Sequence, residues 1–204
     1  LLAQRGHATD LYMRSSANLA TARFGNLRAF FSGICSFEAQ KEIQRLITQS
    51  MPDIAIVQNL FPQISPAILP ILSRAGIPII MRVANYRLTC PNGLLFSRNG
   101  ICTKCEAGHE YWCALRNCEG SFPKSAGYAL RSATARWMGW YRRNVTAYIC
   151  ATEFLKKRLE ASGIPACRLW VIPNVVADVE KKANSIEGDY VAYAGRISRE
   201  KGIP

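Results

Sequence analysis

Five of the eight cysteines of this chain fall within one stretch, as Cys90, Cys102, Cys105, Cys113 and Cys118, with His109 among them. The spacing Cys102-Thr103-Lys104-Cys105 lets two sulfurs face one ion from a tight turn, an arrangement common in zinc sites. A second such pair is missing, because four residues separate Cys113 from Cys118 and Cys90 is remote. Three states of these thiols are expected, in this order: a structural metal such as zinc, disulfides, and free buried thiols. A closed four-ligand site leaves no position for water, so no catalytic metal is expected.

A second set of candidates follows the apolar runs. Asn59, then Asn85-Tyr86-Arg87, Thr152-Glu153, Asn174 and Gly195 to Gly202 each come just after such a run. In an open α/β sheet those positions meet the ligand. The last of them, Gly195-Arg196-Ile197-Ser198-Arg199-Glu200-Lys201-Gly202, can bring backbone N–H groups and two cations, Arg196 and Lys201, against a diphosphate. It fits neither the Walker pattern nor GxGxxG, which argues against an ATPase or a dehydrogenase. With only His7 and His109 available, no Ser/His/Asp set can be assembled at these positions.

The elements that must carry these residues alternate. A helix end at Leu1 to Arg5 with Gly6 as its stop and a short strand over Ala8 to Met13 open the chain, and Arg14 to Ile34 reads mostly as loop. Ser36 is an expected N-cap for a helix to Ser50 with Ala39, Ile43, Leu46 and Ile47 on one face. A strand over Ile54 to Val57 follows. Ser65-Pro66 reads as a capped helix start with Gly76 as its stop, and Ile77 to Val83 as a buried strand. After the cysteine loop, the spacing predicts one helix from Ser125 to Arg143, with Ala126, Leu130, Ala133, Trp137 and Tyr141 inward and Arg131, Arg136, Arg142 and Arg143 outward. A strand over Val145 to Cys150, a helix from Thr152 to Gly163 and a strand over Leu169 to Ile172 complete the main unit. The segment Ala177 to Gly188 has the composition of a connector, and Tyr190 to Ala194 reads as a fresh strand. Strands alternating with helices make the expected fold class α/β: a Rossmann-like parallel sheet with helices on both faces.

The chain has 204 residues and a net charge of +12, which favours an anionic partner. No apolar run reaches the roughly 20 residues that span a bilayer, and the basic, tryptophan-bearing helix before Arg143 offers at most a peripheral membrane contact. The expected location is cytoplasmic, in part at the inner face of the membrane. Because it opens on Leu1 and stops soon after a glycine-rich loop, the chain is expected to be a fragment, truncated at both ends.

The succession Asn59-Leu60-Phe61-Pro62, Ser65-Pro66, Asn85-Tyr86-Arg87-Leu88 with Cys90-Pro91-Asn92-Gly93, Ala151-Thr152-Glu153-Phe154-Leu155, Pro173-Asn174 and Gly195-Arg196-Ile197-Ser198 with Glu200-Lys201-Gly202 resembles the family-4 retaining glycosyltransferases. The resemblance covers nearly the whole chain and is most specific in its NYRLxCPNG and closing GRxSxEKG-like segments. It implies a GT-B fold. Residues 1–174 would be the N-terminal, acceptor-side Rossmann-like domain with the cysteine-rich loop at 90–118 as an insertion. Residues 175–188 would be the interdomain connector, and 189–204 the first strand and phosphate loop of an incomplete donor domain.

The activity implied is transfer of a sugar, hexosyl in type, from a nucleotide-sugar to a glycan or lipid-linked acceptor with retention of configuration, in polysaccharide biosynthesis. Carried over position by position, Gly195, Arg196 and Lys201 would hold the donor diphosphate. Asn85, Arg196 and Lys201 would serve catalysis, and Asn59, Asn85, Tyr86, Arg87, Glu153 and Asn174 would line the substrate side. The chain departs from the family in having Gln58 where histidine is common and Ala84-Asn85 where His-Asp or His-Asn is, so either Asn85 takes over a sugar contact or activity is altered or lost. The family's paired-glutamate motif would lie beyond Pro204, and residues 1–204 alone are expected to be inactive. Two alternatives are a zinc-containing nucleic-acid-binding module, motivated by the charge and the CxxC, and a catalytically dead GT-B relative. The scattered basic residues argue against the former, so no nucleic acid is expected as partner.

Overall fold

A computed structural model describes residues 2–14, 33–61, 63–97, 100–175 and 192–203. Its centre is a four-stranded parallel sheet flanked by helices, of order β1-β2-β5-β6: β1 (Ala55–Gln58), β2 (Ile79–Val83), β5 (Ala147–Cys150) and β6 (Leu169–Val171). Between β2 and β5 in sequence, β3 (Phe96–Ser97) and β4 (Gly100–Ile101) form a separate antiparallel pair. The helices are α1 (Phe37–Ser50), α2 (Leu69–Arg74), α3 (Tyr111–Leu115), α4 (Phe122–Trp137), α5 (Trp140–Asn144) and α6 (Glu153–Ala161). None of the described helices is long and apolar enough to cross a membrane.

The chain divides into two compact units. The first comprises Leu1–Arg82 and Ala133–Ala147. Here β1 and β2 run in register from Ala55 opposite Ile79 to Gln58 opposite Arg82. Thr146 extends the ladder: its N–H donates to the Ile79 carbonyl at 2.9 Å, and its hydroxyl accepts the Ile79 N–H at 3.1 Å. Ser36 caps α1 as its side-chain type predicts, accepting the Ala39 N–H at 3.3 Å, and the helix buries Ala39 and Ile43. Leu69 and Leu72 of α2 and Ile79 of β2 belong to the core, where each such side chain contributes about 1.5–3 kcal/mol relative to exposure.

The second unit comprises Val83–Ser132 and Tyr148–Pro204. It pairs β5 with β6 from Tyr148 opposite Leu169 to Cys150 opposite Val171, and packs α6 against β6. Thr152 caps α6 by accepting the Leu155 N–H at 3.2 Å, also as expected. Tyr148, Cys150, Leu159 and Leu169 are buried at its centre.

Several expectations are corrected. Residues 8–13 form no strand, and most are exposed. Of the strand expected over Tyr190 to Ala194, residues 190 and 191 fall outside the described residues, and 192–194 form no strand. The loop expected over Arg14 to Ile34 and the connector over 177–188 fall mostly outside the described residues. Ser65 does not cap the turn that follows it. Its hydroxyl accepts the Ser36 N–H at 3.1 Å instead, and the turn begins as a 3-10 helix, Pro66–Ile68.

The single helix over 125–143 is two helices. Gly139, at φ 66°, breaks the run, and a Cβ there would stand 2.8 Å from the Arg143 Nε. The face is rotated as well. Leu130 and Trp137 are exposed, whereas Ala129, Arg131 and Ala135 are buried. Tertiary partners reverse the amphipathic reading at Arg131, whose Nη2 donates to the Pro91 carbonyl at 3.2 Å while its guanidinium lies 4.8 Å from the Tyr128 ring centre.

Candidate functional site

The loop that follows β2 is built by its own polar groups. Asn85 Oδ1 accepts the Arg87 N–H at 3.0 Å, an Asx turn, and the Tyr86 carbonyl accepts the N–H groups of Thr89 and Cys90 at 3.0 and 2.8 Å. Tyr86 N–H returns to the Gly93 carbonyl at 3.3 Å, which closes the segment on itself. Gly93 is required here, since at φ 79° a Cβ would stand 2.7 Å from Arg87 Cγ.

Aromatic groups hold this loop from two sides. Arg87 lies 5.5 Å from the Tyr128 ring centre of α4, and Tyr86 meets Phe154 of α6 edge to face at 6.0 Å. Cation–π and ring contacts of this kind contribute about 0.5–2 kcal/mol each. Phe154 is in turn covered by Arg158, 5.1 Å away, whose Nη1 bonds both carboxylate oxygens of Glu106 at 3.1 and 3.2 Å. Asn85, Tyr86 and Arg87 after β2 and Glu153 after β5 are therefore carried by segments tied together through Tyr86 and Phe154. Tyr128, Phe154, Arg158 and Glu106 are supporting residues that the sequence reading did not single out. Tyr128 and Arg131, three apart on one helix, were the available signal.

The other predicted positions are placed separately. Asn59 stands just after β1 in the first unit with φ 46°, exposed. Asn174, also exposed, follows β6. In the closing loop Gly195 lies beneath the Tyr193 hydroxyl, which donates to the Arg196 carbonyl at 2.9 Å. Arg196 is exposed and its Nη2 is 3.6 Å from Glu200 Oε1. Lys201 ends a 3-10 helix, Arg199–Lys201, with its side chain exposed. The Glu200 carboxyl is held below its ordinary range, chiefly by the Ser198 hydroxyl.

The cysteines sort themselves differently from their spacing. Cys105 and Cys113 are buried together with Ala129, and Cys118, Trp112 and Tyr128 pack against them. The Cys90 thiol donates to Asn92 Oδ1 at 2.9 Å, and the Cys118 thiol to the Ser97 hydroxyl at 3.6 Å. Cys105 also feels the charge of Cys113 and Cys118, and Cys113 that of Cys90. The Cys105 thiol draws the Cys90 pKa down to about 6, against burial, helped by the backbone N–H groups of Leu95, Gly93 and Asn92. Cys105 is pushed up, first by the neighbouring Cys90 thiol and then by burial, and burial pushes Cys113 up to about 12.

Cys102, the first member of the CxxC, stands aside and accepts a hydrogen bond from Arg116 Nη1 at 3.4 Å. His109 is exposed, with its Nδ1 2.9 Å from the Glu106 carbonyl oxygen and its ring against Tyr111. All eight cysteines are free, and among the described residues no group of three or more histidine, cysteine or acidic side chains is set to hold a metal ion. Neither a protein-family model, nor a curated protein, nor a solved structure matches the chain.

Proposed function

We propose that the chain is the acceptor-side part of a retaining glycosyltransferase of GT-B type, together with the opening of its donor-side part. It would move a sugar from a nucleotide-sugar to a glycan or lipid-linked acceptor. The observation that carries this reading is the juncture of Tyr86 and Phe154, which joins the Asn85-Tyr86-Arg87 loop after β2 to the Glu153-bearing start of α6 after β5. Ligand-binding groups of open parallel sheets lie at this end of the strands. The groups gathered there are an amide, a phenol, a guanidinium and a carboxylate, a set suited to binding hydroxyl-rich ligands.

Chemically, the reaction needs little covalent help from the protein. As the bond between the sugar and the diphosphate breaks, negative charge grows on the leaving group, and cations fixed beforehand stabilise that state more than the ground state. Arg196 and Lys201 are assigned this role, each worth about 3 kcal/mol of barrier. Glu200 holds Arg196 loosely at 3.6 Å, so an incoming diphosphate must take over that guanidinium. Asn85 is assigned the sugar contact next to Ala84.

The test is thermal stabilisation, by UDP, GDP and their sugar conjugates, of the protein with its donor-side part completed. A ligand present at about 100 times its Kd raises stability by about 2.7 kcal/mol. A shift with one nucleotide, lost in both Arg196→Ala and Lys201→Ala, is the expected result. No shift with any nucleotide in folded protein would overturn the reading.

A further inference from the structure

We propose that the corner where α4 ends and α5 begins docks on an anionic phospholipid bilayer, with Trp137 and Met138 entering the headgroup region and Arg136, Arg142 and Arg143 meeting the lipid phosphates. This assignment does not depend on the transferase reading.

The corner lies wholly within the first unit and is fixed by its own backbone. The Met138 N–H still bonds the Thr134 carbonyl at 2.9 Å, and the Gly139 N–H turns to the Arg136 carbonyl at 3.0 Å. Gly139, in the left-handed region, then opens α5, its carbonyl accepting the Arg143 N–H at 2.9 Å. Both sides are anchored: Ala135 before the corner and Val145 after it are buried, and Asn144 Nδ2 donates to the Trp140 carbonyl at 2.7 Å. What this rigid turn holds outward is apolar. Trp137 is 83% exposed and Met138 50%. Because the turn is already ordered, burying these two side chains in a lipid surface costs little backbone entropy.

Charge identifies what covers them. Arg136, Arg142 and Arg143 are exposed around the same corner. Arg143 lies across Gly139, where a Cβ would meet its Nε, Cδ and Cγ at 2.8, 2.9 and 3.2 Å. Its stem thus rests on the backbone beside Met138 while the charged head stays at the surface. Residues 133–147 hold these three arginines and no acidic residue, and Glu38 and Glu42 of α1 are paired with Arg14 at 3.0 Å. Tryptophan flanked by arginine suits the bilayer interface, where the indole sits at headgroup level and long cationic side chains reach the phosphates. A protein partner fits less well, since two side chains fall far short of the roughly 800 Å² that each member of a stable complex buries.

The experiment is sedimentation of the folded protein with vesicles of phosphatidylcholine alone or mixed with phosphatidylglycerol, at low and high salt. Binding is expected to the mixed vesicles, to weaken with salt, and to be much weaker on phosphatidylcholine alone. Arg143→Gln should weaken it about fivefold, the share of one arginine near an anionic surface. Trp137→Ala should weaken it about tenfold. Trp170→Ala, which removes another exposed indole on β6, should bind as the wild type does. Brominated lipids should quench the tryptophan fluorescence of the bound wild type, a readout that needs no variant to fold. The proposal is overturned if folded wild-type protein ignores the mixed vesicles or binds both kinds equally. It is overturned equally if Trp137→Ala binds at wild-type strength, if Trp170→Ala weakens binding as much as Trp137→Ala does, or if brominated lipids leave the fluorescence unchanged.

Discussion

Ser65 is fully buried with φ 64° and ψ 151°, a region that side-chain-bearing residues seldom occupy, and Pro66 after it keeps its ψ extended. The hydroxyl explains why a serine is tolerated there: it accepts the N–H of Ser36, itself buried at the start of α1, at 3.1 Å. Two substitutions separate the bond from the strain. Ser65→Ala removes the acceptor and leaves the Ser36 N–H without its partner, at a cost of about 1–3 kcal/mol, while the backbone strain remains. Ser65→Gly loses the same bond but relieves strain of about 1–3 kcal/mol, offset by about 0.5–1 kcal/mol for the greater freedom of glycine in the unfolded chain. Both variants should be less stable than the wild type, with the glycine variant above the alanine variant by about 1 kcal/mol. For a chain of this size that corresponds to about 2–4 °C in Tm, measurable by circular dichroism. This order reverses the ordinary one, in which alanine is the more stable. A glycine variant that melts below the alanine variant would refute the positive-φ argument, and an alanine variant equal to the wild type would refute the hydrogen bond.

Thr152→Ala should cost about 1 kcal/mol by removing the acceptor for the Leu155 N–H, whereas Thr152→Ser should restore most of it; urea denaturation of the three proteins checks this. The Tyr12 hydroxyl donates to Glu42 Oε2 at 2.5 Å, and burial first, then this bond, raises its pKa to about 12. The folded state holds that proton more tightly than the unfolded chain, whose tyrosines titrate at about 10. Its contribution is therefore full below about pH 10 and fades as pH rises through about 12. Tyr12→Phe should remove that part of the alkaline loss of stability, read from urea midpoints across pH, and an unchanged alkaline slope would refute it.

Much of the architecture is legible because it rests on short-range chemistry. The caps at Ser36 and Thr152 each need only an N–H three residues away, so residue type and position suffice to foresee them. The strands β1, β2, β5 and β6 follow from apolar, β-branched runs, and their alternation with helices leads to a parallel sheet. The polar loop at Asn85 to Arg87 is likewise written locally, since its Asx turn spans two residues.

What the sequence left open depends on partners distant along the chain. The amphipathic period of α4 pointed Leu130 and Trp137 inward, yet the Pro91 carbonyl and the Tyr128 ring draw Arg131 in and leave those apolar side chains exposed. Ser65 has the right type for a cap, but the competing Ser36 N–H lies 29 residues away. Among the cysteines, spacing favoured Cys102 with Cys105, whereas the folded loop buries Cys105 with Cys113, packs Cys118 against them, and gives Cys90 to Asn92 and Cys102 to Arg116. Residue order by itself determined the elements and where their polar ends fall, because helix caps, turns and strand periods are bonds between near neighbours. Only the tertiary structure decided which faces are buried and which thiols meet, because those contacts close long loops and are chosen by packing.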